Sequence, residues 1–423
     1  MSVTENTEIS RYSQLLAFLK EQKIQCSSCD PCDCGNECAG ALVPLNGDAS
    51  FRRYYRLKQD AHSVEALCYK HHTYLQAPEY FNETLIIVDA PPATQKNREF
   101  VAINNILSHA RVLVPTIICA DLEHGFMVQE DLGQTLFWDK LQALSAPEQK
   151  LAFYQLALNT LTKIAALPLG YQQLDRVSEA RNRLSDMPEE QRAECKKRIA
   201  RYELDSTELK YLSELPPFDD AFIRMELGIF TEWCLDKALH LTLSTAEQEM
   251  LERSFTFLSE QCRSQEQVAM HRDFHSRNLM VLPEDSTDVS NMMLGVLDYQ
   301  DMVLGPIGYD VASLLYDCYT QLNPEHLEQL LSDCYDNYRL NGLLQDVSRE
   351  DFARQVKICA IQRHIKVLGI FNRLHLRDGK AGYLQYLPDV LSYVERNCAD
   401  IPELQELLAF LQQRVRPALC PQA

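Results

Sequence analysis

What the chain lacks narrows its class before any motif is read. No apolar stretch approaches the roughly 20 residues that a membrane-crossing helix needs, and runs such as Leu85–Val88 are far shorter. No charged-then-apolar segment opens the chain, so the expectation is a protein that stays in the cytoplasm. Basic residues are outnumbered, with 41 Lys and Arg against 60 Asp and Glu, for a net charge of −19. Such a field repels phosphate backbones and anionic lipid, which argues against nucleic acid and against a membrane as partners. A nucleotide stays compatible, because local backbone amides and a divalent cation can neutralise its phosphates. There are no internal repeats, and no low-complexity segment beyond one cysteine-rich stretch. Nothing in the sequence fixes an oligomeric state.

Among what is present, one segment stands out. His271-Arg272-Asp273-Phe274-His275-Ser276-Arg277-Asn278 places an asparagine five positions after an aspartate, and Leu297-Asp298-Tyr299 adds a second aspartate 20 residues further on. Phosphoryl transfer from Mg-ATP needs these groups in this order. One carboxylate (Asp273) orients an acceptor hydroxyl and takes its proton, while an amide oxygen (Asn278) and another carboxylate (Asp298) hold the metal. Leu279–Leu282 and Leu294–Leu297 are short apolar runs separated by the polar stretch Pro283–Asn291, which reads as two paired strands. Their pairing would bring Asn278 and Asp298 to neighbouring ends.

At 423 residues, 46% apolar and 24% charged, the chain can hold two lobes, each with its own core. Residues 9–22 carry Leu15, Leu16, Phe18 and Leu19 at helical spacing. Leu42–Leu45, Phe51–Lys58, Leu85–Asp89 and Gly125–Gln129 read as strands, with a helix over 97–110. From about residue 134 the pattern is helical apart from the hairpin, most clearly near 150–166, 222–236, 246–262, 310–320 and 353–374. The division expected is an N-terminal helix with a cysteine-rich extension over 1–40, a nucleotide-binding sheet lobe over 41–132, and a helical lobe over 133–423 carrying the catalytic loop and acceptor site.

The fifteen cysteines are an odd number, and most sit in apolar or amphipathic surroundings, which reads as reduced, buried small hydrophobes. Cys26, Cys29, Cys32, Cys34 and Cys38 are different, crowding into one stretch. C-x-x-C-x-x-C begins like an iron–sulfur run, but Asn36 stands where the fourth ligand belongs. Cys29, Cys32, Cys34 and Cys38 have the ligand type for zinc, on a very tight loop. Zinc, an iron–sulfur cluster and a redox-sensitive extension without metal all remain open.

The quoted loop resembles the aminoglycoside phosphotransferase-like branch of the protein-kinase fold. So do Gly47–Arg56, Ile87–Pro92, Glu130-Asp131-Leu132-Gly133, Leu297–Asp301 and Arg363–Gly369, from about residue 41 onward. More narrowly, the chain resembles the bacterial anomeric sugar kinases of cell-wall recycling, which phosphorylate N-acetylmuramate and N-acetylglucosamine at the 1-hydroxyl. The resemblance implies an α+β, bilobal, protein-kinase-like fold, with a small antiparallel-sheet N-lobe and a large, mostly helical C-lobe. It also implies ATP and Mg2+ as cofactors and a small sugar as acceptor.

Further roles follow from that likeness. Gly47 and Ser50 would cover the phosphates, although a loop with one glycine also suits an ordinary hairpin turn. Glu130 to Leu132 would be the hinge against adenine, or a plain connector. The third strand, Thr84–Asp89, lacks the lysine that protein kinases use on the phosphates. Arg52, Arg53 or Lys58 is left to supply the charge; Arg52 and Arg53 face opposite ways on a strand, and Arg53 is the one chosen. His275 would touch the transferring phosphate or hold the loop, and His271 would hold the loop. Asp310 reads first as a helix N-cap, while its family counterpart braces the catalytic loop. Arg224, Glu226, Phe230 and Trp233 would line the sugar site or form a core stripe, with Arg224 suited to a lactyl carboxylate. Arg363, His364, Lys366 and Arg373 read as a solvated or structurally paired basic face.

Overall fold

The computed structural model describes residues 3–22, 24, 42–45, 52–58, 84–167, 211–284, 286 and 288–420. The chain forms two compact units, one of Met1–Thr135 with Met280–Gln300 and one of Leu136–Leu279 with Asp301–Ala423. The hairpin segment therefore groups with the first unit, whereas the sequence reading placed it in a helical lobe starting at residue 133.

β1 (Leu42–Leu45), β2 (Arg53–Lys58), β3 (Thr84–Asp89), β4 (Ile117–Asp121) and β5 (Phe126–Glu130) form one antiparallel sheet in the order β1-β2-β3-β5-β4. β6 (Gln267–Met270) pairs with β9 (Val303–Pro306), and β7 (Leu279–Leu282) with β8 (Met293–Val296). The β7–β8 pair is the one expected from sequence. β4, β6 and β9 were not anticipated. β6 joins β9 across an intervening hairpin, and a four-residue strand with so distant a partner leaves no local signature.

In the first unit, alternation along the strands puts Leu57, Leu85, Ile87, Phe126 and Val128 on one face. Helix α1 (Val3–Glu21) covers that face with Leu15, Phe18 and Leu19 in a single buried cluster. Its Arg11 lies over the Phe126 ring, pairs with Asp89 and donates to His124 O. Helix α2 (Asn97–His109) buries Phe100, Ile103, Ile106 and Leu107, an i, i+3, i+6, i+7 stripe. Asn104 on α2 donates to Pro115 O and to the Tyr299 hydroxyl, and Val296 N donates to Leu113 O, so α2 and the β7–β8 segment belong together.

In the second unit, α3 (Phe137–Ala143) and α4 (Pro147–Ala165) precede α5 (Asp220–Ile229), which continues as a π-helical segment, Phe230–Ala238. α6 (Thr245–Arg263) starts at a capping box of Ser244 and Glu247. α7 (Gly308–Leu315) is buried along its length, and α8 (Pro324–Leu340) is capped by Asn323. α9 (Arg349–Asp378) begins at Ser348 and ends at Gly379, whose φ of 68° suits glycine; α10 (Leu387–Ala399) follows. α9 is the long axis of this unit and packs against α10, α7, α6 and the π-helical segment. At Gly369 the backbone of the α5–π junction comes so close that an added Cβ would lie 2.4 Å from Ile229 O. Cys234, Cys262, Cys318, Cys334, Cys359 and Cys398 are buried free thiols here, as their apolar surroundings suggested. Among the described residues no helix is long and apolar enough to cross a membrane.

Candidate active site

The loop after β6 is held from below by two carboxylates. Asp310 Oδ2 accepts the His271 N–H at 2.6 Å, and Oδ1 accepts the Arg272 N–H at 2.9 Å. Asp317 Oδ2 accepts the Ser276 N–H at 2.9 Å, and its Oδ1 accepts the Tyr319 N–H. Buried Phe274 is a third anchor. Asp310 is thus not a helix cap: α7 already begins at Gly308, and the side chain braces the loop. Asp317, two residues past the end of α7, was missed; an acid just after an otherwise apolar helix was the available signal.

Two short bonds shape the loop, His275 N to Asp273 O at 2.9 Å and Asn278 N to His275 O at 3.0 Å. Arg272 takes a φ of 76°, a left-handed conformation that costs a non-glycine residue about 1–3 kcal/mol and persists only when its surroundings enforce it. With these constraints the Asp273 side chain stays 41% exposed, while Arg363, with Nη2 3.8 Å from its Oδ1, is only 5% exposed. Partial burial raises the Asp273 pKa, but Lys366, His275, Arg363 and Arg272 outweigh it and hold the carboxyl well below the usual range. His275 is shifted down, chiefly by burial. Its Nδ1 accepts the Arg277 N–H at 3.3 Å, and its ring meets Tyr319 edge-on. Asn278 donates its amide N–H to Asp273 O at 3.0 Å, which turns its oxygen the other way, the arrangement a hard cation requires of an asparagine ligand.

Of the four basic residues read as a face on α9, Arg363, His364 and Lys366 are buried within the second unit, on the structurally paired rather than the solvated alternative, and Arg373 is half-buried. Lys366 Nζ lies 2.7 Å from Glu226 Oε1, and the same oxygen takes Arg272 Nη2 at 3.0 Å. Gln362 Nε2 and the Tyr309 hydroxyl reach Glu226 Oε2 at 3.1 and 3.5 Å. Burial works against a charged Glu226, but Lys366 and Arg272 more than compensate and its pKa falls. His364, with Nε2 on Tyr316 O, is pushed down to about 3 by burial and is neutral. This buried network was not read from sequence, because charged residues inside a long helix look like its wet side.

The acceptor residues expected on α5 and its continuation take separate directions. Arg224 turns to Asp220, Glu252 and Thr256, Glu226 is sealed in the network, and half-buried Trp233 lies under Lys237. The structure does not gather these three.

In the first unit, Asp298 has a φ of 60°, and Gln300 Nε2 donates to its Oδ1 at 2.6 Å. Arg53 opens β2 on an exposed position in register with Asp89, whereas Arg52 is buried, stacked 4.4 Å over Phe100 and bonded to Gln300. Glu130 is buried, with Oε2 accepting the N–H and hydroxyl of Thr116, and its own N–H goes to Thr116 O. Asp131 is clamped by Arg56, Thr84 and Gly133 N, and Leu132 is buried. Gly47 and Ser50 lie outside the described residues, as do Cys29, Cys32, Cys34 and Cys38. Among the described residues no group of three or more His, Cys, Asp or Glu is arranged to hold a metal ion.

A five-stranded antiparallel sheet, a large helical unit and a braced His-Arg-Asp…Asn loop define a protein-kinase-like α+β fold. The chain belongs to the phosphotransferase enzyme family, whose profile it matches over residues 41–340. It is 31% identical over 369 residues to an N-acetylmuramate/N-acetylglucosamine kinase of Pseudomonas putida, covering 87% of each chain. A relative of the same name from Neisseria meningitidis is 28% identical, over 87% of this chain and 89% of that one. Among solved structures, an ethanolamine kinase of Plasmodium vivax superposes with a TM-score of 0.50 at 11% identity, covering 94% of this chain and 89% of that one, a likeness of fold.

Proposed function

We propose that this phosphotransferase moves the γ-phosphoryl group of Mg-ATP to the anomeric 1-hydroxyl of an amino sugar, N-acetylmuramate or N-acetylglucosamine, in peptidoglycan recycling. The observation that carries the reading is the loop itself, where an accessible Asp273 is kept ionised by surrounding cations and held in place by Asp310 and Asp317. The names of the relatives support the acceptor. Asp273 takes the hydroxyl proton as the sugar oxygen bonds to phosphorus and the bond from phosphorus to the bridging oxygen of ADP breaks. An anomeric hydroxyl is more acidic than an ordinary alcohol, so an unshifted or lowered carboxylate suffices. Asn278 and Asp298 are the side chains for Mg2+, which would neutralise the phosphates. His275, neutral at pH 7 given its downward shift, would offer the phosphoryl group a hydrogen bond rather than a charge. Gly47, Ser50 and Arg53 are assigned to the phosphates. Glu130 already commits its N–H to Thr116, so adenine would be met from Leu132.

The test is a panel of acceptors (both amino sugars, ethanolamine and an aminoglycoside) with labelled ATP, with the product resolved by phosphorus NMR. Phosphate on the 1-hydroxyl of an amino sugar is expected. Transfer only to another acceptor or another hydroxyl overturns the acceptor assignment, and binding of ATP without transfer to any acceptor makes the chain a nucleotide-binding regulator.

A further inference from the structure

We propose that Glu226 is a positioning residue of the phosphotransfer loop, one that acts through Arg272 to hold the turn that aims Asp273. This rests on the phosphotransfer reading above. Three observations converge. Glu226 is 1% exposed, and both its oxygens are committed, Oε1 to Lys366 and Arg272 and Oε2 to Gln362 and Tyr309, so it presents nothing to a sugar. Arg272 directly precedes the proposed base and sits at a φ of 76°. That backbone is gripped twice, with its N–H on Asp310 and its guanidinium on Glu226, stacked 4.8 Å over Phe222. A left-handed arginine held at its amide and at the far end of its side chain cannot relax to an ordinary φ without breaking one of the two grips. Relaxation would swing the next residue, Asp273, off its line. Glu226 also takes Lys366, which helps keep the buried carboxylate ionised and so able to hold Arg272.

Steady-state kinetics of Glu226→Gln, with ATP and whichever acceptor the wild-type enzyme phosphorylates, test this. Wild-type turnover in the same assay separates failure of the phosphotransfer reading from failure here. Removing the charge while keeping the shape should lower kcat about 10- to 100-fold, the scale of a roughly 1 Å displacement at a reacting group. The KM values for ATP and acceptor should stay within about twofold, because Glu226 is buried with both oxygens already committed. In an Arg272→Gly background, where glycine takes the left-handed φ unaided, Glu226→Gln should lower kcat no further, since the two changes break one linkage. Should Glu226→Gln fold poorly, Arg272→Lys, which keeps the charge but shortens the reach to Glu226, replaces it, with the same loss of kcat expected. An acceptor KM that rises while kcat holds, an unchanged kcat, or losses that add fully on the Arg272→Gly background would overturn the proposal.

Discussion

Asp310 carries the loop on two bonds, and the energetic consequence can be worked out from them. Its carboxylate and His271 are buried, and it accepts N–H groups from His271 at 2.6 Å and Arg272 at 2.9 Å. Alanine at this position orphans both donors. A buried donor without a partner costs about 1–3 kcal/mol, so Asp310→Ala should destabilise the chain by about 2–6 kcal/mol. Asparagine retains one acceptor oxygen and turns its amide nitrogen toward the other N–H, which predicts about half that loss. Urea unfolding of the three proteins at about pH 8 reads the series from midpoints at constant slope. An alanine variant within about 1 kcal/mol of wild type, or asparagine as damaging as alanine, would show that the loop is held by something else.

The pH dependence adds a sign to the same test. Burial above all, with Asp273 nearby, raises the Asp310 pKa from the ordinary 3.8 to about 7. Between those values the native state keeps a proton that the unfolded chain has lost. The stabilisation linked to that proton is therefore complete below 3.8 and is lost as pH rises through about 7. Asp310→Asn has nothing to titrate there and should flatten the fall in stability between about pH 4 and pH 7. A wild-type and asparagine pair with parallel pH profiles would contradict this.

Three more outcomes are expected. Asp273→Asn should lower kcat by about 10²- to 10⁴-fold while calorimetry shows nucleotide affinity retained, because a base serves the chemical step; near-normal turnover would remove Asp273 from that role. Arg56→Met removes the guanidinium paired with buried Asp131, which should cost about 3–5 kcal/mol in calorimetric unfolding; a loss below about 1 kcal/mol would mean that the pair does not hold β2 to the end of β5. Gly369→Ala must push α9 away from Ile229 O and should lower stability by about 1–3 kcal/mol; an unchanged melting temperature would refute the close approach.

What could be read in advance was whatever the chain states locally. Asp273, Asn278 and the β7–β8 pair lie within one short stretch, and β3 announces itself as a run of apolar, β-branched residues. What escaped notice depends on partners far along the chain. Lys366 and Glu226 are 140 positions apart, and neither shows from its neighbours that it is buried and paired. Asp310 illustrates the same limit: from its neighbours an acid near a helix start reads as a cap, and the bracing alternative came only from the family likeness, with the amides it accepts from lying 39 residues earlier. Arg52 and Arg53 differ by a single step along a strand, and which of them is buried depends on Phe100 and Gln300, one on α2 and one beyond the hairpin.

The stretch shared with the family profile starts at residue 41, which would tempt anyone preparing a minimal version to discard everything before it. Such a truncation would strip away the lid over Leu57, Leu85, Ile87, Phe126 and Val128, baring a greasy sheet to water. It would also strand Asp89, a buried acid whose counter-charge, Arg11, lies in the discarded segment. The shortened protein should clump rather than shrink gracefully, so the opening helix has to be counted as part of the enzyme's body.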